Sequence, residues 1–119
     1  MTDEFLEIAT KEINEDLHGL EHFLALCKTD RDVIAVSSKF QKHTHKIKGL
    51  APMMDKKPLG DVSNSLDSLF KKIIDGQDIQ GIFTVISEII PFMISMMNEP
   101  ECDSDKVKEK ISKIETLSS

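Results

Sequence analysis

A chain of 119 residues, 39% hydrophobic and 30% charged, can bury one core without disulfide staples, so a single domain over residues 1–119 is expected. A net charge of −6 argues against nucleic acid as the main partner. No apolar run approaches the ~20 residues of a membrane span, and the opening Met1-Thr2-Asp3-Glu4-Phe5 lacks the basic segment of a secretory signal; the expected location is cytoplasmic, with no membrane partner. Five glycines, four prolines, no tryptophan and no tyrosine suit helices better than strands. Cys27 and Cys102 stand in no ligand-like spacing and read as two reduced thiols, Cys27 on a core seam.

Apolar residues recur at helical spacing in five segments. Phe5, Ile8 or Ala9, Ile13, Leu17, Leu20, Leu24 and Cys27 mark the first, which stops near Lys28-Thr29-Asp30. Thr29 or Asp30 can cap the second by accepting free amides of its first turn. That helix carries Val33, Phe40, Ile47 and Met54 at every seventh position, with Val36 and Leu50 between, as a buried seam. Pro52 removes a backbone donor and crowds the preceding turn, so the helix should kink or fray after Leu50. The third segment starts around Pro58 or Asp61, carries Leu59, Val62, Leu66, Leu69 and Ile73, and stops at Gly76, a residue suited to a left-handed cap. A fourth runs from Asp78 through Ile82, Ile86, Ile89, Met93 and Met96 or Met97, bent at Pro91. Asp103-Ser104-Asp105 caps a fifth, with Val107, Ile111, Ile114 and Leu117. No strand-like alternation or internal repeat is present, and the connectors are short. The expected fold is all-α: a monomeric, up-and-down antiparallel four-helix bundle with a short fifth C-terminal helix covering one edge.

Charge is unevenly distributed. Residues 39–57 hold six lysines (Lys39, Lys42, Lys46, Lys48, Lys56 and Lys57) against the single acid Asp55, a local +5, while the rest of the chain sums to −11. A positive field in an acidic protein favours anions there and draws in an acidic partner surface. Two histidines lie in this stretch. At about 100° per residue, His43 falls on the seam side and reads as a core or boundary histidine, whereas His45 lies roughly 160° from Ile47 and faces water. Gln41, Lys42, Lys48 and Gly49, three or four residues away, share its face. Glycine in mid-helix costs ~1 kcal/mol relative to alanine, so Gly49 beside an exposed histidine suggests that a partner approaches the backbone closely.

A neutral imidazole is nucleophilic near pH 7 and can take a phosphoryl group in an N–P bond that stays labile enough to pass it on. Lys48, one turn away, can offset the charge of the phosphoryl oxygens. At His45-Lys46-Ile47-Lys48-Gly49-Leu50-Ala51 the chain resembles the histidine-containing phosphotransfer (HPt) domains, whose pattern is His-x-x-Lys-Gly on the second helix of a bundle. It is most similar to the N-terminal phosphotransfer domain of CheA-type chemotaxis histidine kinases, where the motif reads His-Ser-Ile-Lys-Gly-Gly-Ala, and the likeness spans roughly residues 5–98. The resemblance implies that His45 accepts the phosphoryl group and that Lys48 is the supporting cation. It also implies that a histidine and then a carboxylate on the third helix hold the accepting ring. Asn64 and Asp67 occupy those places here, so the histidine is absent, and Asp67 is shorter than the family's glutamate; its reach to an outward-pointing ring is left open at this point, a bridging water being one route. Leu50 and Asp55 stand where the family has further glycines.

The function implied is a phosphorelay module that exchanges a phosphoryl group between His45 and a receiver-domain aspartate, with a histidine kinase as the other partner. Gln41, Lys42 and Gly49 are the candidate docking residues. No glycine-rich phosphate loop is present, so the expectation is a carrier without enzyme activity of its own and without a cofactor. Alternatives are the N-terminal piece of a longer CheA-like kinase, a helical interaction bundle in which His45 has no chemistry, or the dimerising helix pair of a sensor kinase. The last usually has an acid directly after its histidine, where Lys46 sits. His18 and His22, one turn apart with Glu15 nearby, could start a metal site, but the further Glu-x-x-His and glutamates of a di-iron bundle are missing, and no metal is expected.

Overall fold

The computed structural model describes residues 2–98 and 104–118, and among these it is all-helical, with six α-helices, one 3-10 turn and no strand. Helix α1 (Asp3–Ala25) begins where the Thr2 side chain accepts the Phe5 amide at 3.1 Å, with Asp3 and Glu4 placed favourably at the positive end of the helix dipole. Ala9, Ile13, Leu17 and Leu20 are buried and Ile8 is exposed, which resolves the Ile8-or-Ala9 alternative in favour of Ala9. The Cys27 thiol donates to the Phe23 carbonyl at 3.2 Å. Burial, and then the nearby Asp32, push its pKa up, which favours the thiol over the thiolate. Cys102 lies outside the described residues.

Thr29 starts α2 (Asp30–Ala35) in a reciprocal capping box: its hydroxyl accepts the Asp32 amide at 3.2 Å, and the Asp32 carboxylate accepts the Thr29 amide at 3.2 Å and the Lys28 amide at 2.8 Å. The Lys28 amide is the chief reason the Asp32 carboxyl is held below its ordinary pKa. Contrary to the continuous second helix expected, the chain leaves helical geometry at Val36 (φ −116°, ψ 20°) and restarts as α3 (Ser37–Leu50). Ser37 donates its hydroxyl to the Ile34 carbonyl at 2.9 Å. A β-branched residue followed by two serines, whose hydroxyls compete for backbone partners, is a weak stretch of helix, and the break falls there. The seam survives the break: Val33, Phe40, Ile47 and Met54 are all buried.

After Leu50 the chain does depart from the α-helix. Pro52–Met54 form the 3-10 turn, and Asp55 closes it in the left-handed region at φ 59°, a conformation that Asp tolerates better than most side chains. Helix α4 (Lys57–Ile74) carries Pro58 in its first turn and buries Leu59, Val62, Leu66, Leu69 and Ile73 as expected. It also buries Phe70, whose ring stacks on Phe40 with centroids 5.2 Å apart. Gly60 lets the 3-10 turn pack on α4, since a Cβ there would sit 2.8 Å from Pro52 Cγ. Gly76, at φ 106°, ends the helix in the left-handed conformation expected of it.

The next helix, α5 (Ile82–Asn98), starts four residues later than Asp78, and Asp78 does not cap it. Asp30 does: its two carboxylate oxygens accept the Gly81 and Phe83 amides at 2.8 and 2.9 Å. Pro91 sits inside α5 without ending it. Helix α6 (Ser104–Ser118) has fifteen residues, so the short fifth helix is corrected to one nearly as long as α5, with seventeen. Val107, Ile111 and Ile114 bury its apolar face against α4 and α5; Asp103, and the side chain of Leu117, lie outside the described residues.

Helix α3 is the central element, packed on α1 along one side and on α4 along the other. Cross-helix pairs run in opposite senses along the chain. Asp16 meets His43 while Phe23 meets Phe40, and Phe40 meets Phe70 while Pro52 meets Gly60, so α1/α3 and α3/α4 are antiparallel. No helix among the described residues is long and apolar enough to cross a membrane.

Candidate functional site: the His45 face of α3

The exposed edge of α3 and the adjacent edge of α4 meet at one carboxylate. Asp67, on α4, is fully buried as a residue, yet four polar groups reach it. Gln41 donates its amide to Oδ1 at 2.7 Å. Lys48 and Lys71 place their ammonium groups 3.3 and 3.1 Å from Oδ2. His45 sets Nδ1 3.5 Å from Oδ1, an electrostatic approach longer than a direct N–H···O hydrogen bond, with its side chain 59% exposed. Burial alone would push the Asp67 carboxyl up, but hydrogen bonds from Gln41, Lys71 and Lys48 outweigh it and the net shift is downward. Asp67 is therefore a carboxylate at neutral pH, and its negative charge beside Nδ1 favours the tautomer with the proton on that nitrogen. The lone pair is then on Nε2, the far edge of the ring.

The two neighbouring histidines separate as helical geometry requires. His43 packs between α1 and α3, with Nδ1 2.9 Å from Asp16 Oδ1 and its ring near Phe23. Gly19 makes that fit possible, because a Cβ there would come within 2.5 Å of the imidazole. Asp16 is buried too and takes Lys46 Nζ at 3.3 Å, while its Oδ2 has no hydrogen-bond partner. The α3 helix thus sends one histidine–carboxylate pair inward toward α1 and another outward toward α4.

Other expected site residues fall as follows. Lys42 and Gly49 are exposed on α3, and a Cβ at Gly49 would meet nothing within 4 Å, so no packing inside the bundle calls for glycine there. Gln41, read as a docking residue, is partly buried and commits its amide nitrogen to Asp67. Asn64 is exposed one turn before Asp67. The lysine cluster is less uniform than its sequence suggests. Lys46, Lys48 and Lys57 pair with Asp16, Asp67 and Asp61, and Lys56 donates to the Met97 carbonyl at 3.1 Å, holding the last turn of α5. Lys71 was not singled out from the sequence; its signal was the Asp67-x-x-x-Lys71 spacing, which places the two on one helix face.

His45 lies on an exposed helix face. A groove between the start of α5 and α6, lined by Gly81, Val85, Lys110 and Ile114, contains neither His45 nor its neighbours. Among the described residues no group of three or more His, Cys, Asp or Glu side chains is placed to hold a metal ion, and His18 and His22 are both exposed. Comparison with protein-family models, with curated proteins and with solved structures finds no match to the chain.

Proposed function

We propose that the protein is a histidine phosphotransfer module, carrying a phosphoryl group on His45 Nε2 and exchanging it with the aspartate of a response-regulator receiver domain. In this reading α1, the α2–α3 pair, α4 and α5 are the four members of an up-and-down bundle, and α6 is an addition on its α4–α5 side. The observation that supports it best is the half-exposed His45 ring with Nδ1 facing a buried carboxylate that Gln41, Lys48 and Lys71 hold in place.

In the transfer step the Nε2 lone pair attacks phosphorus while the bond from phosphorus to the donor oxygen breaks and its electron pair leaves on that oxygen. The donor is an aspartyl phosphate of the receiver, or nucleotide held by a separate kinase. The ring keeps its Nδ1 proton and becomes cationic, and Asp67 offsets that charge. Lys48 lies one turn along α3, where its ammonium can follow the phosphoryl oxygens. Gly49 leaves the approach to the backbone clear, and the exposed Lys39 and Lys42 suit an acidic partner surface.

Incubation of the purified protein with phosphorylated receivers and with candidate histidine kinases, followed by location of the modified residue, tests the reading. The expected product is acid-labile, base-stable phosphohistidine at position 45, formed more slowly by Lys48→Ala than by Lys57→Ala. A protein that never acquires phosphate at His45, from receiver, kinase or small donor, is instead an interaction bundle.

A further inference from the structure

Two ammonium groups share one carboxylate oxygen at this site, and they come from different helices. Lys48 reaches Asp67 Oδ2 from α3, and Lys71 reaches it from α4, one turn beyond Asp67 itself. Oδ1 is occupied separately, by the Gln41 amide and the His45 ring edge. One carboxylate and two ammoniums leave an excess of one positive charge beside a neutral imidazole. Both lysine side chains are partly exposed, 37% for Lys48 and 53% for Lys71, so their tips can turn without unpacking the bundle.

Resting on the phosphotransfer reading, we infer that Lys71 is a second phosphoryl-binding cation, held on Asp67 while His45 is unmodified and turned to the phosphoryl oxygens once the N–P bond forms. The exchange follows from charge. When Nε2 takes the phosphoryl group, the ring that keeps its Nδ1 proton becomes a cation, and Asp67 Oδ1 acquires a charged partner where it had a neutral one. Its hold on two lysines weakens as a group bearing nearly two negative charges arrives on the far edge of the same ring. With Lys48 alone answering it the cluster would carry an excess negative charge; with Lys71 as well, most of that excess is removed. The ordinary role for a lysine here is support of the negative C-terminal end of α4, and Lys72, in the same last turn, shares it. Lys72 therefore supplies the control: Lys72→Gln removes the same charge from the same helix end.

The test uses ammonium phosphoramidate, a small donor that needs no docked partner, on the parent protein and on Lys71→Gln, Lys71→Arg and Lys72→Gln, each checked for native circular dichroism. Labelling at residue 45 is followed by mass spectrometry, and the phosphoryl group is titrated by phosphorus NMR. Lys71→Gln is expected to slow labelling about 3- to 10-fold and to raise the phosphoryl pKa, because loss of a nearby cation disfavours the dianion. Lys71→Arg should restore both, and Lys72→Gln should match the parent in both. If Lys71→Gln and Lys72→Gln behave alike while the parent is labelled at His45, Lys71 is only a helix-end charge and the inference is overturned, with the proposed function standing. If the parent is never labelled at His45 by phosphoramidate, by a phosphorylated receiver or by a histidine kinase, the proposed function falls and the inference with it.

Discussion

Asp30 and Gly81, 51 positions apart, are joined by a 2.8 Å hydrogen bond from the Gly81 amide to the Asp30 carboxylate. With the second oxygen on the Phe83 amide, one side chain at the start of α2 satisfies amides that α5 cannot satisfy for itself. Asp30→Ala should lower stability to urea by about 1–2 kcal/mol, the range for a lost cap. Thr29→Ala should act on α2 by a similar mechanism. Neither change should alter phosphoryl uptake at His45, since both sites lie on other elements.

Histidine substitutions should divide cleanly. His45→Gln should abolish labelling and leave the urea midpoint nearly unchanged, because the ring is exposed and makes only the long contact to Asp67. His43→Gln should keep labelling but cost about 1–3 kcal/mol, because it takes the imidazole from the buried Asp16. Loss of labelling in a folded His43→Gln protein would reverse the assignment of the accepting residue.

The Asp67 carboxyl is held below its ordinary pKa in the folded protein, so the sign of its pH effect is fixed. The unfolded chain binds that proton more readily, and Asp67 contributes stability above the unfolded value of ~3.9 that is lost as pH falls through the lower folded value. Asp67→Asn should therefore be less stable than the parent at neutral pH and show a shallower acid limb. Urea midpoints measured from pH 7 down to pH 2 provide the check; parallel limbs for the two proteins would mean that Asp67 titrates no differently folded and unfolded.

Two helical glycines should respond oppositely to the same change. Gly49→Ala should raise stability by up to ~1 kcal/mol, since the new methyl group meets nothing and helix propensity improves. Gly19→Ala should lower it, because the methyl group lands against the His43 ring and must displace it from Asp16. Gly49→Leu should stay folded, accept phosphoramidate at the parent rate and exchange slowly with a receiver. Unchanged exchange would remove the argument that Gly49 admits a partner.

The apolar faces were readable because helical periodicity survives local irregularity: Val33, Phe40, Ile47 and Met54 stay buried although the helix breaks at Val36 and again after Leu50. The stops at Pro52 and Gly76 were readable for the same local reason, since each is set by one residue's own backbone. Most of what was not readable depended on partners distant in sequence. The late start of α5 becomes explicable only with Asp30 on Gly81 in view, whereas the Val36 break has a local contact, Ser37 on Ile34 three residues back, that apolar periodicity does not reveal. At the site, the outward direction of His45 follows from angle counting alone. The inward turn of Gln41 and the arrival of Lys71 required the α3–α4 packing, which no single-helix wheel contains.

The interruption at Val36 bears on how the chain tolerates changes of length. Because α2 and α3 are separate helices, the rotational setting of α3 is fixed by its contacts with α1 and α4 and need not follow that of α2. One residue added within 35–37 can be absorbed in an already irregular joint. One residue added between Phe40 and His45 cannot, because it turns everything beyond it by about 100° and swings the imidazole off the Asp67 edge. The joint is thus an indel buffer, beyond which the reading frame of the histidine face is set by α3 alone.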